Sequence, residues 1–138
     1  MKISRVTLWA LAAMMAAVGT AHAGEIQVDR GAYTLQAEEM GAGPITVVFE
    51  SGFGQGAGAW KEVVAGLGRD YHSITYARAG LGKSGSDGHP KRIDAHLADL
   101  TAVIDTLAPG RRVVLVGHSY GGLLATEFAR RHPERLQG

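Results

Sequence analysis

The sequence predicts an α/β fold, a mostly parallel sheet with helices flanking both faces. Three observations carry this. From residue 45 onward, short apolar runs alternate with helical stretches. The runs ITVVFE (45–50) and RVVLVG (112–117) are continuous and rich in β-branched residues, as in strands buried on both faces. The second run leads directly into Gly117-His118-Ser119-Tyr120-Gly121 and then a helical stretch, a strand-turn-helix order.

The elements follow in order. Residues 1–23 read as a signal peptide: Lys2 and Arg5, then the apolar VTLWALAAMMAAVG, then the small-residue site Ala21-His22-Ala23. The run is short for a membrane span, and the alternatives are an uncleaved anchor or a hydrophobic core helix. Export to the periplasm or medium follows from the first reading, with no stable span after cleavage. The mature part, 24–138, then loses two positive charges, so the net charge of +1 describes the precursor alone. Residues 26–39 alternate weakly around Arg30-Gly31 and read as two short strands with a turn. After ITVVFE comes the glycine-rich SGFGQGAG and a helix over 59–67. A strand, HSITYA, spans 72–77, and RAGLGKSGSDGHP reads as a polar loop.

Ile93, Leu97, Leu100, Ile104 and Leu107 recur at gaps of three and four, one helical face over 93–107. Asp94, Asp99 and Asp105 read as solvated positions between them. Pro109-Gly110 stops that helix. RVVLVG is the most buried-looking strand, and a last helix covers 123–132 before Pro133.

Composition narrows the chemistry. Apolar residues make up 46% of 138, enough for a core. Basic residues are dispersed, which argues against a nucleic-acid partner. The cysteine count is zero, excluding disulfides, thiolate catalysis and Cys-based zinc sites. The histidines show no ligand-type spacing, and neither a metal nor a cofactor is expected.

Ser119 is the candidate nucleophile. A hydroxyl attacks poorly at neutral pH unless a base takes its proton and donors stabilise the oxyanion. A sharp turn after a buried strand lifts the side chain above the sheet edge, and Gly117 and Gly121 clear the crowded backbone around it. The helix that starts at Ser119 presents its positive end, and the N–H of Tyr120 supplies one donor. The competing role is a plain helix N-cap.

VVLVGHSYGG (113–122) resembles the nucleophile elbow of α/β-hydrolase fold enzymes, over roughly residues 45–135. Two further motifs agree. ESGFGQGAGAW (50–60) resembles the loop that gives the second oxyanion donor; the resemblance implies the N–H of Phe53 in that role and Gly52 in support, with Ser51-Gly52 where His-Gly is usual. Trp60 matches an aromatic that packs there. YARAGLGKS (76–84) resembles the family's Asp-Arg-x-Gly-x-Gly-x-Ser loop, with Ala77 replacing the structural Asp, so a changed local hydrogen bond is expected. His118 is expected to be packed beside the elbow.

The resemblance implies serine hydrolysis of a small-molecule ester or related acyl compound. Branches that use an aspartate nucleophile are disfavoured, whereas esterase, lipase, peptidase and lactonase branches stay open. The family's acid and histidine follow the serine. After Ser119 the candidates are Glu127, Glu134 and His132, on a helix that carries each turn about 5.4 Å further from the hydroxyl. The expectation is therefore the N-terminal part of the fold, with the triad acid, the His and the later strands missing. Such a chain should be nearly inactive alone, marginal in stability, and should leave an unpaired position beside its last strand. Two other classes remain: a non-catalytic exported relative, and a dinucleotide-binding module using the G-x-G-x-x-A pattern of residues 52–57. The second lacks the expected acidic residue after HSITYA, though Arg78 could meet a 2′-phosphate. ARAGLGKS is close to a phosphate-binding P-loop, but no helix can open at the following GSDGHP.

Overall fold

A computed structural model describes residues 24–138; the signal-peptide reading of 1–23 lies outside the described residues. The strands are β1 (Glu25–Asp29), β2 (Thr34–Met40), β3 (Ile45–Glu50), β4 (Tyr71–Tyr76) and β5 (Val114–Gly117). The helices are α1 (Lys61–Leu67), α2 (Ile93–Leu107) and α3 (Tyr120–Arg131), with 3-10 turns at Ala57–Trp60 and Pro133–Arg135. The sheet runs β1-β2-β4-β3-β5. β1, β2 and β4 pair antiparallel; β4, β3 and β5 form the parallel part. Among the described residues no helix is long and apolar enough to cross a membrane.

β3 lies between two parallel neighbours and is buried on both faces, which explains its unbroken apolar run. Val48 faces the larger core, with Ile74, Leu100, Ile104, Leu124 and Phe128 under α2 and α3. Val47 and Phe49 face the smaller one, with Val64 of α1 and the indole of Trp60. The period of two along β3 thus places helices on opposite faces.

Several expectations need correction. β5 is not the most buried strand: Val114, Leu115 and Val116 are half-buried, because β3 is its one full-length partner. The position beyond β5 is not empty either. Residues 135–138 run parallel to it, through Val113 N–H to Arg135 O (3.0 Å), Gln137 N–H to Val113 O (2.8 Å) and Leu115 N–H to Gly138 O (3.0 Å). Asp99 is fully buried rather than solvated; it accepts from Arg30 Nε at 2.8 Å and Tyr33 Oη at 2.7 Å. Asp94 and Asp105 are exposed and pair with Arg131 and Arg135. The helix expected over 59–67 begins as a 3-10 turn, and α1 proper starts at Lys61.

Candidate active site

Ser119 has φ 54° and ψ −119°, and it is the sole non-glycine residue with positive φ among the described residues. That conformation stores about 1–3 kcal/mol of strain in a residue with a Cβ. The turn is held by its surroundings. A Cβ on Gly121 would sit 2.1 Å from the Glu50 carbonyl oxygen and 2.6 Å from that of Ser51, and one on Gly117 would sit 2.5 Å from Gly121 O. These contacts press the start of α3 against the end of β3, and His118 N–H donates to Glu50 O at 3.1 Å. The elbow and the glycine loop are therefore joined at one point.

Ser119 does not act as a conventional N-cap. Its hydroxyl makes no capping bond; its carbonyl instead accepts from Gly122 N–H (2.9 Å) and Leu123 N–H (3.2 Å). The side chain is exposed at the positive end of the 12-residue α3. Tyr120, the first helical residue, has an N–H without an intrahelical partner. Among the described residues the N–H of Phe53 has no backbone partner either. The rings of Phe53 and Tyr120 meet edge-to-face at 6.0 Å, so the two residues sit side by side at the turn.

Beneath the loop lies a buried charged group. Arg78 Nη1 donates to Glu50 Oε1 (2.5 Å) and to Ser51 O (2.5 Å), and Nη2 donates to Gly52 O (2.6 Å). Tyr76 Oη also donates to the Glu50 carboxylate. Burial pushes the Glu50 carboxyl above its usual range, opposed by Tyr76 and Arg78, and pushes the Tyr76 phenol well up. The guanidinium carbon of Arg78 lies 5.3 Å from the centre of the Tyr120 ring. Sequence reasoning missed this group. The available signal was a glutamate closing the apolar run ITVVFE, since a carboxylate there needs a cation from a neighbouring strand. Engaged in this way, Arg78 is not open to a nucleotide phosphate.

The loop departs from the family pattern in a compensated manner. Ser51 Oγ donates to Gly56 O (3.1 Å) and accepts from Trp60 Nε1 (3.0 Å), while Gln55 Oε1 accepts from Gly52 N–H (3.1 Å). With Ala at 77, Ser84 ties the following loop, donating to Ala77 O (2.6 Å) and accepting from Gln36 N–H (2.9 Å). His118 is exposed rather than packed, because it follows the end of β5, past the stretch that residues 135–138 flank; it lines a hollow of about 250 Å³ with Gln55, Ala59, Trp60 and Val63.

No imidazole among the described residues is hydrogen-bonded to Ser119. His72 is engaged with Thr46 and Glu39. His132, at the far end of α3, packs on Phe128 and lies 3.8 Å from Glu134. The ring of His96 packs edge-on against Tyr120 at 5.8 Å, and burial, aided by Arg78, holds its pKa below the ordinary value. Glu127 is paired with Arg130 and Arg131.

Comparison with known proteins bears on the family and the fold. Residues 44–138 match the family described as serine aminopeptidase, S33. The sequence is 34% identical over 103 residues to RutD of Azorhizobium caulinodans, whose provisional name is carbamate hydrolase; the match covers 75% of this chain and 38% of RutD. The fold superposes on the thioesterase domain from the curacin biosynthetic pathway with a TM-score of 0.76 at 26% identity, over 83% of this chain and 43% of that one. An epoxide hydrolase of Vigna radiata gives a TM-score of 0.72 at 25% identity, over 83% and 36%. The chain spans less than half the length of each of these proteins. By its matched residues, its sheet order and its elbow, the chain belongs to the serine aminopeptidase S33 family of α/β hydrolases.

Proposed function

We propose that this chain carries the nucleophile and the oxyanion-binding half of a serine hydrolase acting on a small-molecule ester or related acyl compound, in an exported protein. The observation that carries the reading is the strained, uncapped Ser119 beside two free N–H groups, those of Phe53 and Tyr120. In the reaction Ser119 Oγ attacks the acyl carbon and its proton passes to a base. The carbonyl oxygen gains negative charge facing the two N–H groups; the bond to the leaving oxygen then breaks as that oxygen takes the proton back from the base and departs as the alcohol. A serine at 119, not an aspartate, favours acyl transfer over epoxide opening.

The base and its acid partner come from polypeptide outside residues 24–138, so the chain alone acylates slowly and does not turn over. Loss of the histidine of a serine triad lowers kcat on the order of a million-fold. Among the described residues no imidazole is hydrogen-bonded to Ser119, which supports this. It equally suits a non-catalytic relative, which the experiment separates. The full chain is incubated with a p-nitrophenyl ester and a hindered tertiary amine as external base, and adducts are followed by intact-mass spectrometry. One acyl group on Ser119, absent in Ser119→Ala, is expected. No adduct would favour the non-catalytic reading; repeated Ser119-dependent turnover without added amine would mean that the base lies within the chain.

A further inference from the structure

We propose that Arg78 is the positioning residue of the oxyanion pocket, gripping the donor peptide from behind. This rests on the reading of Phe53 N–H and Tyr120 N–H as oxyanion donors.

The carbonyl of Gly52 and the N–H of Phe53 belong to one peptide unit. That unit is planar and trans, so its oxygen and its hydrogen point in opposite directions. Whatever holds the oxygen aims the hydrogen. Gly52 O accepts from Arg78 Nη2 at 2.6 Å and from Gln55 N–H at 3.2 Å. The preceding peptide is held at both ends too, its oxygen by Arg78 Nη1 at 2.5 Å and its N–H by Gln55 Oε1 at 3.1 Å. Two successive peptide units are thus clamped by one guanidinium fork and one carboxamide, while the Phe53 N–H is left free.

A cation at the carbonyl end does more than orient. A charge-assisted bond to the oxygen polarises the amide and strengthens its N–H as a donor. Water cannot compete, because Arg78 is only 3% exposed. The guanidinium plane is fixed by Glu50, which Tyr76 holds in turn. Its carbon also lies 5.3 Å from the ring of Tyr120, the residue bearing the second donor N–H, within cation–π range. One buried side chain therefore bonds the peptide unit that carries the Phe53 N–H and lies over the ring of Tyr120, the bearer of the second donor. Lysine cannot replace it: a single ammonium has no planar fork to span two carbonyls and a carboxylate.

The test uses Arg78→Lys, which keeps the charge opposite Glu50, and Glu50→Gln, which keeps an acceptor for Arg78, both in the full 138-residue chain. Amide ¹H–¹⁵N spectra and hydrogen exchange are recorded without any ligand. In Arg78→Lys the Phe53 and Tyr120 amide resonances are expected to move and exchange at the Gln55 amide to speed up at least tenfold, while β1 and β2 resonances stay in place. Glu50→Gln is expected to give the same pattern at smaller amplitude. Unchanged Phe53 and Tyr120 amides with unchanged Gln55 exchange in Arg78→Lys would overturn the proposal. On the acylated serine, the carbonyl stretch of a ¹³C-labelled acyl group should rise in frequency in Arg78→Lys as the donors weaken. A wild-type chain that never acylates would count against Ser119 as nucleophile, and the ligand-free amide spectra would still decide the role of Arg78.

Discussion

The carboxylate of Glu50 and the guanidinium of Arg78 meet at 2.5 Å, with side chains 1% and 3% exposed. Glu50 ends β3 and Arg78 follows the end of β4, the adjacent parallel strand, and the carbonyls of the glycine loop complete the guanidinium's bonds. Breaking such a pair leaves a buried charge uncompensated, so Arg78→Met should lower stability by about 3–5 kcal/mol. Urea unfolding of wild type and variant reads this directly.

Burial raises the Glu50 carboxyl above its value in the unfolded chain, which fixes a sign. Between those two values the folded state holds more protons, so stability falls as pH rises through the window that starts near the ordinary carboxylate pKa. Glu50→Gln should flatten that fall. Urea midpoints across mildly acidic to neutral pH provide the measurement.

Glu127 behaves oppositely. Arg130 and Arg131 hold its carboxyl down at about 2, from 4.5. Its contribution is present above the unfolded value and lost as pH drops from 4.5 toward 2. Glu127→Gln should reduce the acid-side slope, and added salt should shrink the difference, since Arg130 is 69% exposed. A variant with the same acid titration as wild type at low salt would refute this.

Ser119 is strained where a glycine would not be. Ser119→Gly should abolish acylation and at the same time raise stability by about 1 kcal/mol, net of the glycine's greater unfolded-state entropy. A thermal melt together with adduct mass checks both halves of the statement.

Gly121→Ala should fail for a different reason. Its Cβ would meet two carbonyl oxygens of the main chain, 2.1 Å and 2.6 Å away, and neither can rotate aside. The variant should lose several kcal/mol, on the scale of other overpacked sites at about 1–3 kcal/mol or more. In whatever folds, the Tyr120 and Phe53 amide resonances should be displaced.

Phe128 is fully buried under α3 against the larger core. Phe128→Ala should cost about 3–5 kcal/mol, detectable as a lower urea midpoint with little change in slope.

Much of this fold is written in short-range patterns. The apolar run at 45–50, the spacing of Leu97, Leu100 and Ile104, and the Gly-x-Ser-x-Gly corner were all legible because strand period, helix period and turn chemistry act over a few residues. The burial of Asp99, the half-exposure of β5 and the exposed His118 were not. Each depends on which distant segments come to lie alongside: Asp99 needs Arg30 and Tyr33, 69 and 66 residues earlier. The same holds for Arg78, a plain loop residue in the sequence, whose partners are 26 to 28 residues away across the sheet. Local geometry selects strands, helices and corners; the pairing of buried charges is chosen only when packing excludes water and brings the opposite charge within reach.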